Sequence, residues 1–512
     1  MSEERGKVIT SLRHRLSIEA SMRQMLEATS SEEFEAMAER IARRGSQVVP
    51  VIVANLDTTD ARFRGVLGNV ARHLERSEIS YALREVVMQP WRTDQERTTA
   101  LMILERFLDE EVGDSLYLEL TDPLEVARQS LREVVSEGES DPQAYVEYVR
   151  SLEDEPLEVA LLVLQAAGTM DPATVVEPLR LLAQDPRQAV AREAIRLLGT
   201  IRTAEALVAL RCLLPCLNEE RRGWAERSLR KLTLAGVKAE PPLSLGERCR
   251  LLVSPVEGQG TRSVWVLEHV GPDTQINLLT VMLEDGRGIT DCFGAGGLTE
   301  TPLNWAPELG AVHRLSLPRR GYVLDLLEAD PGYAVRLLLE GTAEALKREG
   351  CLPLAYRVWG KILWQYSLPP PRPFQEPEVA DDELPQLLDQ SRRLLTQPAF
   401  DSWAPLEPWT GDLLRGWDRR GPPTGQSPRG VRLACRLIQR YWDEPRLEAT
   451  RRWLLANSEW FLMAGEGEMA KLALAAARGL AAEEPTRHPL LLALAERALV
   501  LAWDARQRGN PQ

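Results

Sequence analysis

One stretch, Asp185–Leu213 (DPRQAVAREAIRLLGTIRTAEALVALRCL), restricts the possible folds more than any other part of the chain. Val190, Ala194, Ile195, Leu197 and Leu198 recur at the spacing of one helical face, and after Gly199 a second run begins with Ala206, Leu207, Leu210 and Leu213. Two amphipathic helices on so short a connection run antiparallel. Asp185 is read as the N-cap of the first, with Pro186 at its first position, because a carboxylate accepts free backbone N–H groups and proline has none to leave unpaired. A single helix pair leaves an apolar face uncovered, so the unit demands neighbours of its own kind.

Such neighbours are present. The segments TDQERTTALMIL, TDPLEVARQSL, DEPLEVALLVL, DPRQAVAREAI and NEERRGWAERSL bring Ala100, Ala127, Ala160, Ala191 and Ala225 into register, at intervals of 27, 33, 31 and 34 residues. A small residue at that point lets the backbones of stacked helices approach. The pattern resembles HEAT repeats in their compact form, closely over Asp185–Leu213 and more loosely from about Thr93 to Leu234. The resemblance implies an α-solenoid with a habit of binding partners, and it carries no catalytic residues.

Around this array the chain divides into four parts. Residues 1–31 are read as an N-terminal helical cap over the first repeat, and 32–240 as the HEAT-like α-solenoid, in which Pro50 either opens its helix or kinks it. GVKAEPPLS (236–244) ends the helical period with glycine and a proline pair. Residues 241–330 form a small α+β module, in which ERCRLLVSP, RSVWVLEHV, QINLLTVMLE and GITDCFG predict an antiparallel β-meander of three or four strands with Asp285–Gly286 at a hairpin turn. RRGYVLDLLEAD and PGYAVRLLLEGTAEALKREG, after Pro318, are read as helices that cover it. Residues 331–512 make a C-terminal helical domain with a Pro-rich loop at 369–385 and TPR- or HEAT-like hairpins at its end. The fold class is mainly α.

Charge and composition exclude some functions. A net charge of −14 with a pI near 5.2 argues against a general nucleic-acid or membrane binder. No run reaches the roughly 18–20 uncharged apolar residues of a membrane span, and the polar start MSEERGKVIT predicts no secretory signal. Six scattered cysteines fit reduced thiols, so the expected location is cytoplasmic. Cys212 and Cys216 stand one helical turn apart with no histidine near in sequence and are read as core residues. No metal and no cofactor is expected.

Chemistry-bearing residues are sparse. Glu268, His269, Asp291, Cys292 and His313 gather acid, base and nucleophile types in the β-rich part, and a thiol facing His269 across strands would be a nucleophile–base pair. Neighbours in one strand point to opposite faces, which sets Asp291 and Cys292 apart. Gly294–Gly297 is read as a flexible turn, since no helix and no Lys-Ser/Thr follows it. Arg221 and Arg222 lead a basic helix that would suit nucleic-acid phosphates, diluted by Glu219, Glu220 and Glu226. Nine of the 13 tryptophans follow residue 350, and Trp403, Trp409 and Trp417 fall in or beside loops, either pinning them or forming an aromatic contact surface.

The resulting expectation is a non-enzymatic scaffold or adaptor that holds a protein or peptide in a solenoid groove. Its surface is placed on the second helices, at QVVPVIVANL, EISYALREVVMQ and TAEALVALRCLL, joined by the tryptophan-bearing loops. The alternatives are a lyase-like accessory enzyme, as some short-repeat HEAT proteins attach or remove bilin chromophores, and nucleic-acid binding through Arg221 and Arg222.

Overall fold

Apolar side chains at helical spacing, ended by capping residues, generate most of the secondary structure. In the computed structural model of the protein, the described residues are 14–28, 31–110, 123–242, 244–245, 248–270, 275–299, 308–317, 322–415, 417, 421–425, 427–482 and 484–508. They fall into two compact units, Met1–Leu179 and Arg180–Gln512. This boundary lies inside the stretch that the sequence assigns to one continuous solenoid, and not at the junction near residue 240.

The first unit is a succession of helices. After helix 14–24 come Ser31–Ala42, Val49–Ala54, Ala61–Arg72, Arg76–Met88, Asp94–Met102, Pro123–Gly138, Gln143–Asp154 and Leu157–Ala167. Pro50 sits in the first turn of its helix, where its missing N–H costs nothing. Asp60 caps the next helix by accepting from Phe63 N at 3.2 Å, and Thr93 with Glu96 forms a reciprocal capping box. Helices pack on the element two further along: Ala61–Arg72 on Ser31–Ala42, Arg76–Met88 on Val49–Ala54, and Leu157–Ala167 on Pro123–Gly138. That is the contact pattern of stacked helical pairs. One apolar core runs from Ile18, Met22 and Met25 through Phe63, Leu67 and Leu83 to Leu104 and Leu108, so helix 14–24 shares the core of the helices that follow it.

The second unit opens with Gln188–Leu198, Ala204–Leu213 and Glu219–Leu234, the first and third in contact. All five alanines of the register are buried, Ala100, Ala160, Ala191 and Ala225 completely and Ala127 at 6% exposure. Asp185 does not cap the first of these helices, which begins after Arg187. Its carboxylate is fully buried and accepts from Arg187 N at 2.8 Å and from the Arg187 guanidinium at 2.9 and 2.8 Å. The capping motif is displaced because the buried carboxylate finds a cation two residues on.

The β module is larger than the sequence suggests. Strands β1 (Cys249–Val253), β2 (Thr261–Val270), β3 (Gln275–Glu284), β4 (Gly288–Leu298), β5 (Val312–Leu317) and β6 (Tyr322–Glu328) form a six-stranded antiparallel sheet in the order β4-β3-β2-β1-β6-β5. YVLDLLE, read as helix, is therefore a strand. β6 pairs with β1 through Leu252–Glu328 and with β5 along its whole length, and it places Leu324 and Leu326 in the same apolar cluster as Leu252, Leu267 and Leu315. The Asp285–Gly286 turn is exposed, and Gly286 has φ +73°, a conformation that glycine adopts without strain. Helix Pro331–Glu349 packs on β4 and β1, Leu354–Trp359 on β4, and Lys361–Trp364 on β2. The Pro-rich stretch wraps past the start of the Pro331 helix, where Arg372 N donates to Gly332 O at 3.0 Å.

At the C-terminus, Pro428–Tyr441, Glu444–Met463, Gly467–Ala482 and Pro489–Gln507 complete the unit, the second and third packed closely together. Asn457 and Trp460 tie the Glu444 helix to the sheet: Asn457 bonds both N and O of Val256, and Trp460 Nε1 donates to Val253 O at 2.8 Å. The protein is thus mainly helical, with stacked helix pairs in both units and a small antiparallel sheet module in the second.

His488 makes this bundle sensitive to pH. The ring is fully buried at the N-cap of the last helix, its Nδ1 accepting from Leu491 N at 3.4 Å and its Nε2 lying 3.0 Å from Ala476 O. Accepting at Nδ1 requires the neutral ring, and burial holds its pKa below the ordinary 6.5. The unfolded chain therefore takes up a proton at higher pH than the folded one. Stability is full above pH 6.5, falls as the pH drops below it, and levels off once the folded ring also titrates. Urea unfolding across this range is expected to show that loss, with His488→Asn flattening the slope; an equal slope in the variant rules out the ring as its source.

Candidate functional site

The acid, base and nucleophile types of the sheet do not converge. Cys292 lies opposite Val281 and His269 opposite Ile276, five positions apart on β3, which places them on opposite faces and separates them by about 17 Å along the strand. Cys292 is buried, and burial with the neighbouring Asp291 pushes its thiol pKa up, away from a nucleophilic thiolate. Asp291 Oδ1 accepts from Cys292 N at 2.8 Å. His313, on edge strand β5, joins neither. The expected Cys–His pair is thus dispersed by register, which a single strand's sequence does not record.

Two buried polar clusters use these residues instead. Glu268 lies opposite Cys249 and accepts from Tyr366 OH at 2.7 Å, Gln365 Nε2 at 2.6 Å and Asn277 Nδ2 at 3.0 Å. It ties β2 and β3 to the chain after Lys361–Trp364. Burial and the bond to Glu268 raise the Tyr366 phenol pKa. On the other face, Arg250 Nε lies 3.1 Å from both carboxylate oxygens of Glu328, and His313 Nε2 lies 3.3 Å from Arg250 Nη2 and from Glu328 Oε2. Sequence reasoning missed both groupings, because the partners are 78 and 98 residues apart in the chain.

The glycine run is not a turn. Gly294–Gly297 lies within β4, and a Cβ on Gly294 would come within 2.1 Å of the Trp359 ring, so the missing side chain lets Leu354–Trp359 lie against the strand.

The tryptophans and arginines singled out from the sequence serve mainly as anchors. Trp403 is 4% exposed and donates to Val256 O at 3.1 Å, packed against Phe400 and Trp453, so it is a core residue and not part of an aromatic surface. Trp409 is half-buried beneath Arg440, whose guanidinium carbon lies 4.0 Å from the ring centroid. Trp417, also half-buried, donates to Gly421 O at 3.1 Å. Arg221 is buried and donates to Pro186 O at 2.9 Å, and Arg222 donates to Leu214 O at 3.0 Å and Leu217 O at 3.2 Å. Both donate to backbone carbonyls, Arg221 from a buried position and Arg222 from an exposed one.

An open apolar surface lies elsewhere, in the first unit. Helix Arg76–Met88 buries Ile79, Leu83, Val86 and Val87 on one face. Tyr81 and Met88 project from the other, and Trp91 follows in the next turn; they are 66%, 58% and 77% exposed. Spacings of four and three residues set Tyr81, Glu85 and Met88 on one line, and Tyr81 OH donates to Glu85 at 3.3 Å. Of the three second helices named from sequence, Val49–Ala54 and Ala204–Leu213 turn most of their apolar side chains inward.

Among the described residues, no group of three or more His, Cys, Asp or Glu is arranged to hold a metal ion, and no helix is long and apolar enough to cross a membrane. The protein is mainly helical, and its stacked helix pairs are suggestive of solenoid-like repeats beside a small antiparallel β module. Residues 148–230 match the family of HEAT repeats. No curated protein and no solved structure matches the chain.

Proposed function

We propose that the protein is a binding scaffold and that a protein partner docks on the ridge of Tyr81, Met88 and Trp91. The observation that carries this reading is their exposure: the helix is already anchored by its opposite face, so these side chains contribute little to folding. Tyrosine and tryptophan dominate binding hot spots, because a rigid ring loses little freedom when its large surface is covered. Glu78 and Glu85, exposed on the same helix, favour a partner with an apolar anchor flanked by basic residues. The C-terminal hairpins fit the same role as further repeat-like units. The test is photo-crosslinking from position 88 in native cytosol, with the double variant Tyr81→Ala, Trp91→Ala, carrying the same crosslinker, as comparison. The chain with both rings is expected to capture a discrete protein that the double variant loses by at least about tenfold, at an unchanged melting temperature. Equal capture by both chains rejects the ridge.

A further inference from the structure

Residues 366–378 (YSLPPPRPFQEPE) cross the second unit as a strap. Its conformation follows from its prolines. Each proline ring fixes its own φ, and Leu368, Pro369, Pro370 and Arg372 each precede a proline, which keeps them out of the helical region. Residues 368–373 therefore run as polyproline II, a helix of about three residues per turn whose side chains fall on about three edges. One edge is tied to the protein. Arg372 and Gln375 stand a turn apart on it: Arg372 N donates to Gly332 O at 3.0 Å, the Arg372 guanidinium lies 3.6 Å from Asp330, and Gln375 N donates to the buried Glu459 at 3.0 Å. The guanidinium also donates to Gln375 Oε1 at 3.0 Å, which links the two anchors.

The other two edges carry rings. Pro370 and Pro373 lie a turn apart on the second edge, Pro371 and Phe374 on the third, and all four are exposed, Phe374 at 42%. They make two ridges, Pro370 with Pro371 and Pro373 with Phe374, at the spacing that a groove of aromatic rings grips. Because the strap is already extended and anchored, little freedom is lost when the rings are covered. Charge narrows the choice of groove. Glu378, Asp381 and Asp382 follow the ridges and are exposed, whereas Arg372, the one cation of the strap, is held beside Asp330. A groove with a basic rim matches this segment, and a groove that must pair with a free arginine does not.

We infer that residues 370–374 are a docking site for a protein module whose shallow groove is lined by aromatic rings and rimmed by basic side chains. The site belongs to the second unit and stands independently of the Tyr81 and Trp91 ridge in the first.

The full-length protein is titrated into isotope-labelled WW and SH3 domains, one set with basic groove rims and one with acidic rims, and the chemical shifts of the groove residues are followed. At least one basic-rimmed domain is expected to bind saturably through its aromatic groove. The double variant Pro370→Ala, Pro373→Ala is expected to weaken that binding at least about tenfold at an unchanged melting temperature. Added salt is expected to weaken it as well, since the acidic residues meet the basic rim at the surface. No saturable binding by any domain, undiminished binding by the folded double variant, or equal binding by the acidic-rimmed set each overturns the assignment. If the double variant melts earlier and the unaltered chain binds no domain, the prolines serve only to stiffen the strap, and the assignment is again overturned.

Discussion

Replacing Glu328 by alanine is expected to destabilise the second unit by about 3–5 kcal/mol, because it leaves the Arg250 guanidinium as a buried charge without its carboxylate. Arg250 and Glu328 are 2% exposed and lie on adjacent strands, β1 and β6, beside Leu252 and Leu326. The ionic contact is bidentate, and His313 at 3.3 Å is the third polar member. Water does not readily replace the lost oxygens in an apolar cluster. The double variant Arg250→Met, Glu328→Leu is expected to recover most of the loss, since it removes both desolvation penalties and adds apolar contact. Urea unfolding followed by tryptophan fluorescence reads the effect, as Trp460 is bonded to Val253 at the end of β1. A shift below about 1 kcal/mol for Glu328→Ala would mean that solvent reaches the pair and that it behaves as a surface ion pair.

The same pair shows where sequence reasoning ends. Local signals were sufficient where a structure depends on near neighbours: the alternating runs of β2 and β3, the turn at Asp285–Gly286, and the alanine register of the stacked helices all appear as read. β6 was misread because Val323, Leu324 and Leu327 fit a helical face as well as a strand, and a run this short does not separate the periods. Pairing with β1, whose Leu252 meets Glu328, decides the matter, and that contact leaves no trace in the local pattern. The glycines of β4 show the same limit. Gly294 reads as a turn until the ring of Trp359 is seen to occupy the space of its side chain. Among candidate sites, residue types were legible but partners were not: Glu268 was identified as an acid, whereas Tyr366 and Gln365, which hold it, carry no spacing signal. Arg221 reads as a cation suited to phosphates, whereas the fold buries it against the Pro186 carbonyl, a contact that its own helix does not announce.

What remains local is strong enough to be tested by one substitution. Ala191 is fully buried on Gln188–Leu198, the helix that packs against Glu219–Leu234 with Ala225, also fully buried, at the equivalent repeat position. Helix ends meet as closely: a Cβ on Gly199 would fall 2.6 Å from Ser228 Oγ on the Glu219 helix, and that hydroxyl bonds Ile195 O. Ala191→Asp places a carboxylate at a fully buried position, and the expected cost is several kcal/mol, roughly 3–5. Ala191→Gly separates charge from shape, since it removes one methyl group and helix propensity at a cost of only about 1–2 kcal/mol. Circular dichroism during urea unfolding is expected to rank the unaltered protein above the glycine variant and that above the aspartate variant. If the aspartate variant unfolds with the unaltered protein, Ala191 faces solvent or a cavity, and the alanine register does not mark the seam between repeats.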